Sequence, residues 1–236
     1  ISLGLVGSEM CIRDRVICLR RLKGLELHGR LLVAHAGDAL GRVCRAAAEA
    51  GLDGLAELFG IPGAMGGSVA KNAGAYGREL GELVSWAEVM TPEGELVALH
   101  REHLGFRYRG SDLPEKGILV RVALELVPGD KEKIFSRMRQ LAERRRKTQP
   151  VAERSAGCIF KNPPGQAAAR LIDQAGLKGL SVGDAQVSPI HANFIVNKGK
   201  ARASDVLELI KLVKERVYER FGVLLEEEIE FLGVKE

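Results

Sequence analysis

The stretch from Gly60 to Gly77, which reads GIPGAMGGSVAKNAGAYG, limits what this chain can fold into more than any other, because it places six glycines around a single proline. Glycine tolerates a positive φ and leaves its backbone N–H unshielded by a Cβ. Closely spaced glycines can therefore form a concave set of donors for an anion such as a pyrophosphate. The spacing matches neither GxGxxG nor a Walker P-loop. A tight turn between core elements is the alternative to a phosphate-binding loop.

Length and charge narrow the class of protein. The 236 residues are enough for one large or two modest domains, each with its own core. The net charge is +4, but 31 acidic residues are interspersed with 35 basic ones. This balance lacks the basic excess of a nucleic-acid-binding protein. We expect an anionic small molecule as the ligand and no nucleic-acid partner.

The cysteines indicate the compartment. The four cysteines form no CxxC pair and show no metal-ligand spacing with the five histidines, so we expect neither a metal site nor a disulfide scaffold. This pattern favours a reducing cytoplasm. No apolar run approaches the ~18–20 residues that span a bilayer, and the opening ISLGLVG has no basic residues before it, as a signal peptide would. We therefore expect a cytoplasmic protein without a membrane partner.

The first half of the chain predicts a mixture of strands and helices. The short runs VICL, LELH and RLLVAHA between 16 and 36 predict a small meander or a sheet edge. Asp38 stands where the N-cap of an alanine-rich helix over 39–50 is expected. The runs LVSWAEVM and ELVAL, joined by TPEG, predict a hairpin, and ILVRVALELV predicts a closing strand.

The second half begins with a charged helix predicted over 131–147, and TQP at 148–150 is the predicted break. Beyond it, QAAARLIDQAG predicts a helix and ANFIVN a strand. An amphipathic helix follows, capped by Ser204 or Asp205, with Val206, Leu209, Ile210, Val213 and Val217 on one face. The alternation in LLEEEIEFLG predicts a last strand.

Four separated blocks resemble, in order, the signature of the UDP-N-acetylenolpyruvoylglucosamine reductase (MurB) family. They are the glycine-rich stretch Gly60–Gly77, the arginine block Phe106–Ser111, the cysteine block Ser155–Pro163 and the glutamate block Leu225–Ile229. The resemblance covers roughly 16–233. It implies an α+β protein: a partial FAD-binding domain of the vanillyl-alcohol-oxidase (PCMH) type, followed by an α+β MurB C-terminal substrate domain.

The resemblance also implies an activity. Its cofactor would be FAD and its electron donor NADPH, and the enzyme would reduce UDP-N-acetylglucosamine enolpyruvate to UDP-N-acetylmuramate for peptidoglycan synthesis. The partner would be this UDP-sugar. Two alternatives stay open: a truncated, non-catalytic remnant that binds a nucleotide sugar, and another FAD-dependent oxidase of the same fold.

The resemblance assigns catalytic roles to Arg109, Cys158 and Glu228. Hydride addition to the enolpyruvyl double bond leaves an enolate next to a carboxylate, and a fixed guanidinium stabilises that charge better than a lysine. Cys158 stands where the family more often has a serine proton donor, and a thiol can supply that proton. By the same resemblance Glu228 is the catalytic glutamate. Glu226 and Glu227 are the alternatives if the match is shifted by one or two positions. We expect Arg109 and Glu228 to face one substrate carboxylate.

Binding residues follow from the same blocks. Lys161 and Asn162 are expected to contact the substrate, with an ordinary turn before Pro163 as the alternative. His191 is expected to be structural, and Tyr76 either packs near the flavin or fills the core. The cofactor is assigned to Gly60, Ile61, Pro62, Gly63, Gly66, Gly67, Asn72, Ala73, Gly74, Tyr76 and Gly77.

The sequence predicts a division of the whole chain into three segments. Residues 1–15 are interpreted as a non-native leader, because GSEMCIRDR resembles translated sequencing adapter. Residues 16–128 would be the FAD-binding domain without its first lobe, since no G-x-G-S-N turn precedes Gly60, and 129–236 the substrate-binding domain. We therefore expect weak FAD binding by the chain as written.

Overall fold

The computed structural model describes residues 17–231, so the predicted leader, 1–15, lies outside the described residues. The chain divides into two compact units, the first ending at Glu143 and the second beginning at Arg144. This division falls a few residues before the break expected at 148–150. Each unit has its own buried core.

The first unit is organised around a five-stranded antiparallel sheet with the order β1-β2-β8-β6-β7. Two short strand pairs, β3 with β9 and β4 with β5, lie beside it. The strands are β1 (Leu25–His28), β2 (Leu31–His35), β3 (Leu52–Asp53), β4 (Gly74–Ala75), β5 (Arg78–Glu79), β6 (Val84–Met90), β7 (Leu96–His100), β8 (Ile118–Glu125) and β9 (Val127–Pro128). The predicted meander strands LELH and LLVAH, the hairpin and the closing strand are confirmed.

Four helices accompany these strands: α1 (Leu40–Glu49), α2 (Met65–Ala70), α3 (Leu113–Lys116) and α4 (Lys131–Thr148). In α1, Leu40, Val43 and Ala47 recur at helical spacing and are all buried. Gly51 follows with a φ of 68°, the left-handed conformation in which glycine ends helices. The predicted helix is thus confirmed, and its apolar face joins one side of the sheet to form the core.

Two predictions at the start of this unit are wrong. The described part of the run VICL, residues 17–19, is not a strand, because a 3-10 helix begins at its last residue and covers Leu19–Arg21. The carbonyl of Leu22, which follows this helix, accepts the N–H of Gly37 at 2.8 Å. Asp38 is not the N-cap of α1, which is Ala39. The carboxylate of Asp38 is fully buried and accepts the N–H of Gly24 at 2.9 Å instead. The first helical N–H, that of Leu40, donates to the carbonyl of Gly63 at 3.0 Å.

The second unit packs two helices, α5 (Ala168–Gln174) and α6 (Ala203–Phe221), around a four-stranded antiparallel sheet. Its order is β10-β13-β12-β11, with β10 (Arg154–Cys158), β11 (Ser181–Val182), β12 (Ala185–Val187) and β13 (Phe194–Asn197). The strand in ANFIVN and both helices are confirmed. The predicted apolar face of α6 contributes Leu209, Ile210, Val213 and Val217 to the core.

Two predictions in this unit are wrong. The N-cap of α6 is Arg202, and Asp205 caps from inside the first turn by accepting the N–H of Arg202 at 2.8 Å. The glutamate block forms no strand within the described residues and makes a single bridge between Phe160 and Glu227. The segment that contains Phe160 cannot extend the pairing, because it continues into Pro163, which has no N–H to donate.

Within residues 17–231, no helix combines the length and apolar character that crossing a bilayer requires.

Candidate functional site

A cleft of about 440 Å³ opens in the first unit beside the glycine-rich stretch. Its walls come from four segments: the N-terminal segment with Ile17, Leu19 and Arg20, the β2 end with Ala36 and Gly37, the α2 region with Ala64, Gly66, Gly67 and Ala70, and the α3–β8 connection from Leu113 to Leu119. Among the residues that the structure describes, Arg20 is the one charged side chain in this lining. Its size and mostly apolar lining are typical of small-molecule sites.

The residues of this cleft fit an organic cofactor such as FAD. A Cβ added at Gly67 would meet no atom within 4 Å, so this glycine faces open space and lets a ligand approach the backbone. At Gly66 the added Cβ would already touch Ala36 at 3.4 Å. Of the predicted cofactor residues, Gly66 and Gly67 therefore line the cleft, while the cleft walls do not include the others.

The end of the glycine-rich stretch forms a tight hairpin. Strands β4 and β5 are joined by Tyr76 and Gly77, whose φ angles of 52° and 82° are both positive. Two consecutive positive φ values characterise the turn that matches the twist of a hairpin. Tyr76 is 39% exposed, so its side chain does not fill the core, which was one of the two alternatives above.

Asn72 lies in the interior of the first unit. It is 2% exposed with a φ of 44°, and its side-chain amide bonds three groups. Nδ2 donates to Glu79 Oε2 at 2.7 Å and to the carbonyl of Arg107 at 3.0 Å, while Oδ1 accepts the N–H of Gly81 at 2.8 Å. The amide predicted to contact the cofactor thus already connects three parts of the protein.

The arginine block packs directly against the glycine-rich stretch. Arg109 Nη1 donates to the carbonyl of Gly74 at 3.1 Å, and Ser111 Oγ donates to the carbonyl of Ala70 at 2.9 Å. The guanidinium also lies 5.2 Å from the ring centroid of Tyr108. The structure therefore brings the predicted catalytic arginine to the predicted cofactor stretch.

Cys158 ends β10 at an irregularity in the second unit. The pairing with β13 shifts between Ser155 and Cys158, and the intervening Gly157 has a φ of 86°. An extra residue at such a bulge bends the strand and redirects the next side chain. Cys158 is half-buried, unlike Cys44 in the first unit, where burial raises the thiol pKa to about 12.

The glutamate block runs alongside the cysteine block. The N–H of Glu228 donates to the carbonyl of Ile159 at 2.7 Å, and the N–H of Lys161 donates to the carbonyl of Glu226 at 2.8 Å. The side chain of Glu226 pairs with Lys161, and that of Glu227 pairs with Lys214 at 2.7 Å. Within this unit, the residue directly opposite Glu228 is therefore Ile159, and Cys158 is the next residue along the chain.

Lys161 and Asn162 both have partners inside this unit. Lys161 Nζ forms the ion pair with Glu226 named above, and Asn162 Oδ1 accepts the N–H of Ala168, the first residue of α5, at 3.0 Å. These contacts fix the turn before Pro163. They leave the predicted substrate contacts as a proposal.

His191 has the surroundings of a structural residue. Its ring packs edge-on against Phe194 with centroids 4.9 Å apart, and Nδ1 accepts the N–H of Asn193 at 3.3 Å. Burial, followed by the positive charge of Lys178, lowers the pKa of His191 below its ordinary value. The imidazole is therefore neutral near pH 7.

Sequence reasoning missed Asn193, a buried residue in the second unit. Its Oδ1 accepts the N–H of Phe160 at 2.9 Å, and its Nδ2 donates to the carbonyl of the same residue at 2.8 Å. The signal was an asparagine inside the apolar run ANFIVN, since a buried amide requires hydrogen-bond partners. In the part of the chain that the structure describes, no group of three or more His, Cys, Asp or Glu side chains could hold a metal.

Comparison with known proteins gives two family matches. Residues 3–100 match the family described as "FAD binding domain", and residues 149–232 match "UDP-N-acetylenolpyruvoylglucosamine reductase, C-terminal domain". One match lies in each unit, and together they support the α+β organisation expected from the sequence. The first match starts within the residues that the structure does not describe.

Individual relatives agree with these matches. The chain is 48% identical over 204 residues to UDP-N-acetylenolpyruvoylglucosamine reductase of Agathobacter rectalis, covering 86% of the chain and 65% of the relative. It is 42% identical over 234 residues to the protein of that name from Gluconobacter oxydans, and the match covers 97% of the chain and 76% of that relative. The crystal structure of UDP-N-acetylenolpyruvylglucosamine reductase (MurB) from Thermus caldophilus matches with a TM-score of 0.78 and 47% identity, covering 89% of the chain and 74% of that structure.

Proposed function

The chain belongs to the UDP-N-acetylenolpyruvoylglucosamine reductase family, and we propose that it is an FAD-dependent enzyme that uses NADPH to reduce UDP-N-acetylglucosamine enolpyruvate to UDP-N-acetylmuramate. The reaction would take place in the cytoplasm and would supply peptidoglycan synthesis. The observation that carries the proposal is the pairing of the glutamate block with the cysteine block through the hydrogen bond from Glu228 to Ile159.

Gly66 and Gly67, which line the cleft, would hold FAD there, and the missing side chain of Gly67 gives access to the backbone. When bound there, FAD would supply the hydride-transfer chemistry that links NADPH to the double bond of the enolpyruvyl group. The protein binds and orients the substrate and then handles the charge and the proton that this addition requires.

Arg109 would stabilise the negative charge that develops on the enolate and its carboxylate. Its guanidinium is held by the carbonyl of Gly74, and a fixed cation needs little reorganisation as the charge develops. Cys158 Sγ–H would then donate a proton to the enolate carbon, which completes the reduction. The backbone of Glu228 is fixed beside Ile159, next to Cys158 in the chain. From this position, Glu228 would act on the same substrate carboxylate group as Arg109.

Lys161 and Asn162 would contact the UDP-sugar from the turn that their internal partners fix. A lysine ammonium has three N–H donors and an asparagine amide has two, so each of these side chains can bond to more than one group.

A product assay tests the proposal. The purified protein, supplied with excess FAD, is incubated with NADPH and UDP-N-acetylglucosamine enolpyruvate, and the nucleotide sugar is analysed by mass spectrometry. We expect one NADPH consumed for each substrate that gains a hydride and a proton. UDP-N-acetylglucosamine, which lacks the enolpyruvyl group, is the matched control and should consume none. Binding of the enolpyruvyl substrate without turnover would favour the non-catalytic remnant.

A further inference from the structure

The turn that carries Arg109 has an unusual backbone. Arg107 and Gly110 exchange two hydrogen bonds, of 3.0 and 3.1 Å, so that Tyr108 and Arg109 form a two-residue loop. Arg109 has a φ of 58°, a left-handed conformation that glycine and asparagine adopt readily and arginine rarely does. Two-residue hairpin loops favour Asn-Gly and similar pairs. The residues of the loop do not account for its shape, so contacts from outside the loop hold it.

Asn72 supplies one of these contacts. Its Nδ2 donates at 3.0 Å to the carbonyl of Arg107, the same oxygen that accepts the N–H of Gly110 and closes the turn. The amide is itself fixed, because Nδ2 also reaches Glu79 at 2.7 Å and Oδ1 accepts the N–H of Gly81 at 2.8 Å. A buried amide with partners on both sides cannot rotate without losing several hydrogen bonds.

The glycine-rich stretch and Gly81 enclose the turn further. Arg109 Nη1 donates to the carbonyl of Gly74, two residues beyond Asn72. A Cβ at Gly81 would lie 2.6 Å from Phe106 Cγ, so the residue whose N–H donates to Asn72 also packs directly against the start of the arginine block. The position of the Arg109 guanidinium therefore depends on contacts made by 72–81.

We propose that Asn72 is a positioning residue that aims Arg109 for substrate reduction. This inference rests on the proposed function, in which Arg109 stabilises the enolate. Asn72 does not touch the substrate in this account; it fixes the turn that does. Because a displacement of about 1 Å at a reacting group can cost on the order of 10²-fold in rate, loss of this bond should be visible in catalysis.

Hydrogen exchange tests the structural half of the proposal without any cofactor. Asn72→Gly removes the amide but tolerates the positive φ, and Asn72→Asp keeps the shape while losing the donor. We expect exchange of the Gly110 N–H to accelerate about tenfold or more in both variants, with amides of β8 unchanged. Thr91→Ala, which removes the 3.3 Å bond from the Glu95 N–H in the β6–β7 turn, is the control and should leave Gly110 unaffected. Unchanged exchange at Gly110 in both Asn72 variants would overturn the proposal.

Kinetics with the FAD-loaded protein test the catalytic half. We expect Asn72→Gly to slow reoxidation of the flavin by the enolpyruvyl substrate by about 10²-fold, far more than it slows reduction of the flavin by NADPH. In an Arg109→Lys background the same change should cost less than about twofold, because the guanidinium it positions is gone. Additive losses in the double variant would refute positioning. A parent protein that never reduces the substrate would instead refute the proposed function, and the exchange experiment would still decide whether Asn72 holds the turn.

Discussion

The side chain of Asn193 pairs with the backbone of Phe160 as a strand would, accepting its N–H at 2.9 Å and donating to its carbonyl at 2.8 Å. Both residues are almost fully buried. The amide therefore completes the hydrogen bonding of the segment that follows Cys158, at a point where regular pairing with β13 has ended. This one contact links the core of the second unit to the predicted proton donor.

Replacing Asn193 by alanine should destabilise the second unit by about 2–4 kcal/mol, because the buried N–H and carbonyl of Phe160 would both lose their partner. Chemical denaturation followed by circular dichroism measures the change. Gln186→Ala is the matched control, since Gln186 is an amide of the same sheet whose bonds to Gly179 and Ser181 are exposed. It should change stability by no more than about 0.5 kcal/mol. Equal effects of the two changes would contradict this assignment.

Gly67→Ala should have opposite effects on folding and on cofactor binding. An added Cβ meets nothing within 4 Å and lies in a helix, so the protein without cofactor should gain about 0.5–1 kcal/mol. The same Cβ would project into space that FAD is proposed to use, so FAD affinity should fall. Thermal unfolding and flavin titration measure the two quantities.

Gly41→Ala in α1 is the control for this prediction. Its added Cβ would lie 4.0 Å from the nearest atom, in Phe59, and Gly41 does not line the cleft. It should stabilise the fold to a similar degree and leave FAD affinity unchanged. Unaltered FAD affinity in Gly67→Ala would show that the cofactor does not approach α2.

His191 predicts a specific pH dependence. Its pKa is lowered in the folded protein, so the unfolded chain binds a proton at this residue more readily, and the free energy of unfolding should fall as the pH drops below about 6.5. His191→Gln should reduce that loss of stability. Lys178→Gln should reduce it too, because the lysine charge contributes to lowering the pKa. Parallel stability profiles of parent and His191→Gln between about pH 7.5 and about pH 5 would contradict the prediction.

Two substitutions at Cys158 distinguish a packing role of the thiol from a role as proton donor. Cys158→Ser keeps a donor and should retain substantial turnover, whereas Cys158→Ala should still allow reduction of the flavin by NADPH but slow product formation by about 10²–10⁴-fold. Stopped-flow absorbance of the flavin resolves the two half-reactions. If Cys158→Ala reoxidises its flavin with substrate as fast as the parent, the thiol only packs and another group delivers the proton.

Much of the fold could be predicted from the sequence, because periodicity and turn residues report directly on helices and strands. The apolar stripe of α6 and the β6–β7 hairpin are examples. The failed prediction for Asp38 concerns a contact between distant residues. Asp38 was predicted to cap α1, but it instead accepts the N–H of Gly24, fourteen residues earlier, which no local pattern encodes.

The candidate site also contains residues that the sequence predicted and residues that it did not. The motifs predict catalytic roles for Arg109, Cys158 and Glu228, and the contact of Arg109 with Gly74 joins two of the four blocks. Asn193 stands out as an asparagine inside the apolar run ANFIVN, but nothing in that run identifies its partner Phe160, 33 residues earlier. Glu79 accepts a hydrogen bond from Asn72, seven residues earlier, and no local pattern encodes that contact. The left-handed backbone of Arg109 was also not predictable, since arginine has no preference for it.

The most direct test of the central claim, that this protein reduces an enolpyruvyl group through a bound flavin, is anaerobic reoxidation. The FAD-loaded protein is reduced with one equivalent of NADPH and then mixed with UDP-N-acetylglucosamine enolpyruvate while the flavin absorbance is recorded. The account predicts that the absorbance of oxidised flavin returns in a single turnover and that UDP-N-acetylmuramate appears in equal amount. A flavin that stays reduced with this substrate, in protein shown to bind it, would contradict the account.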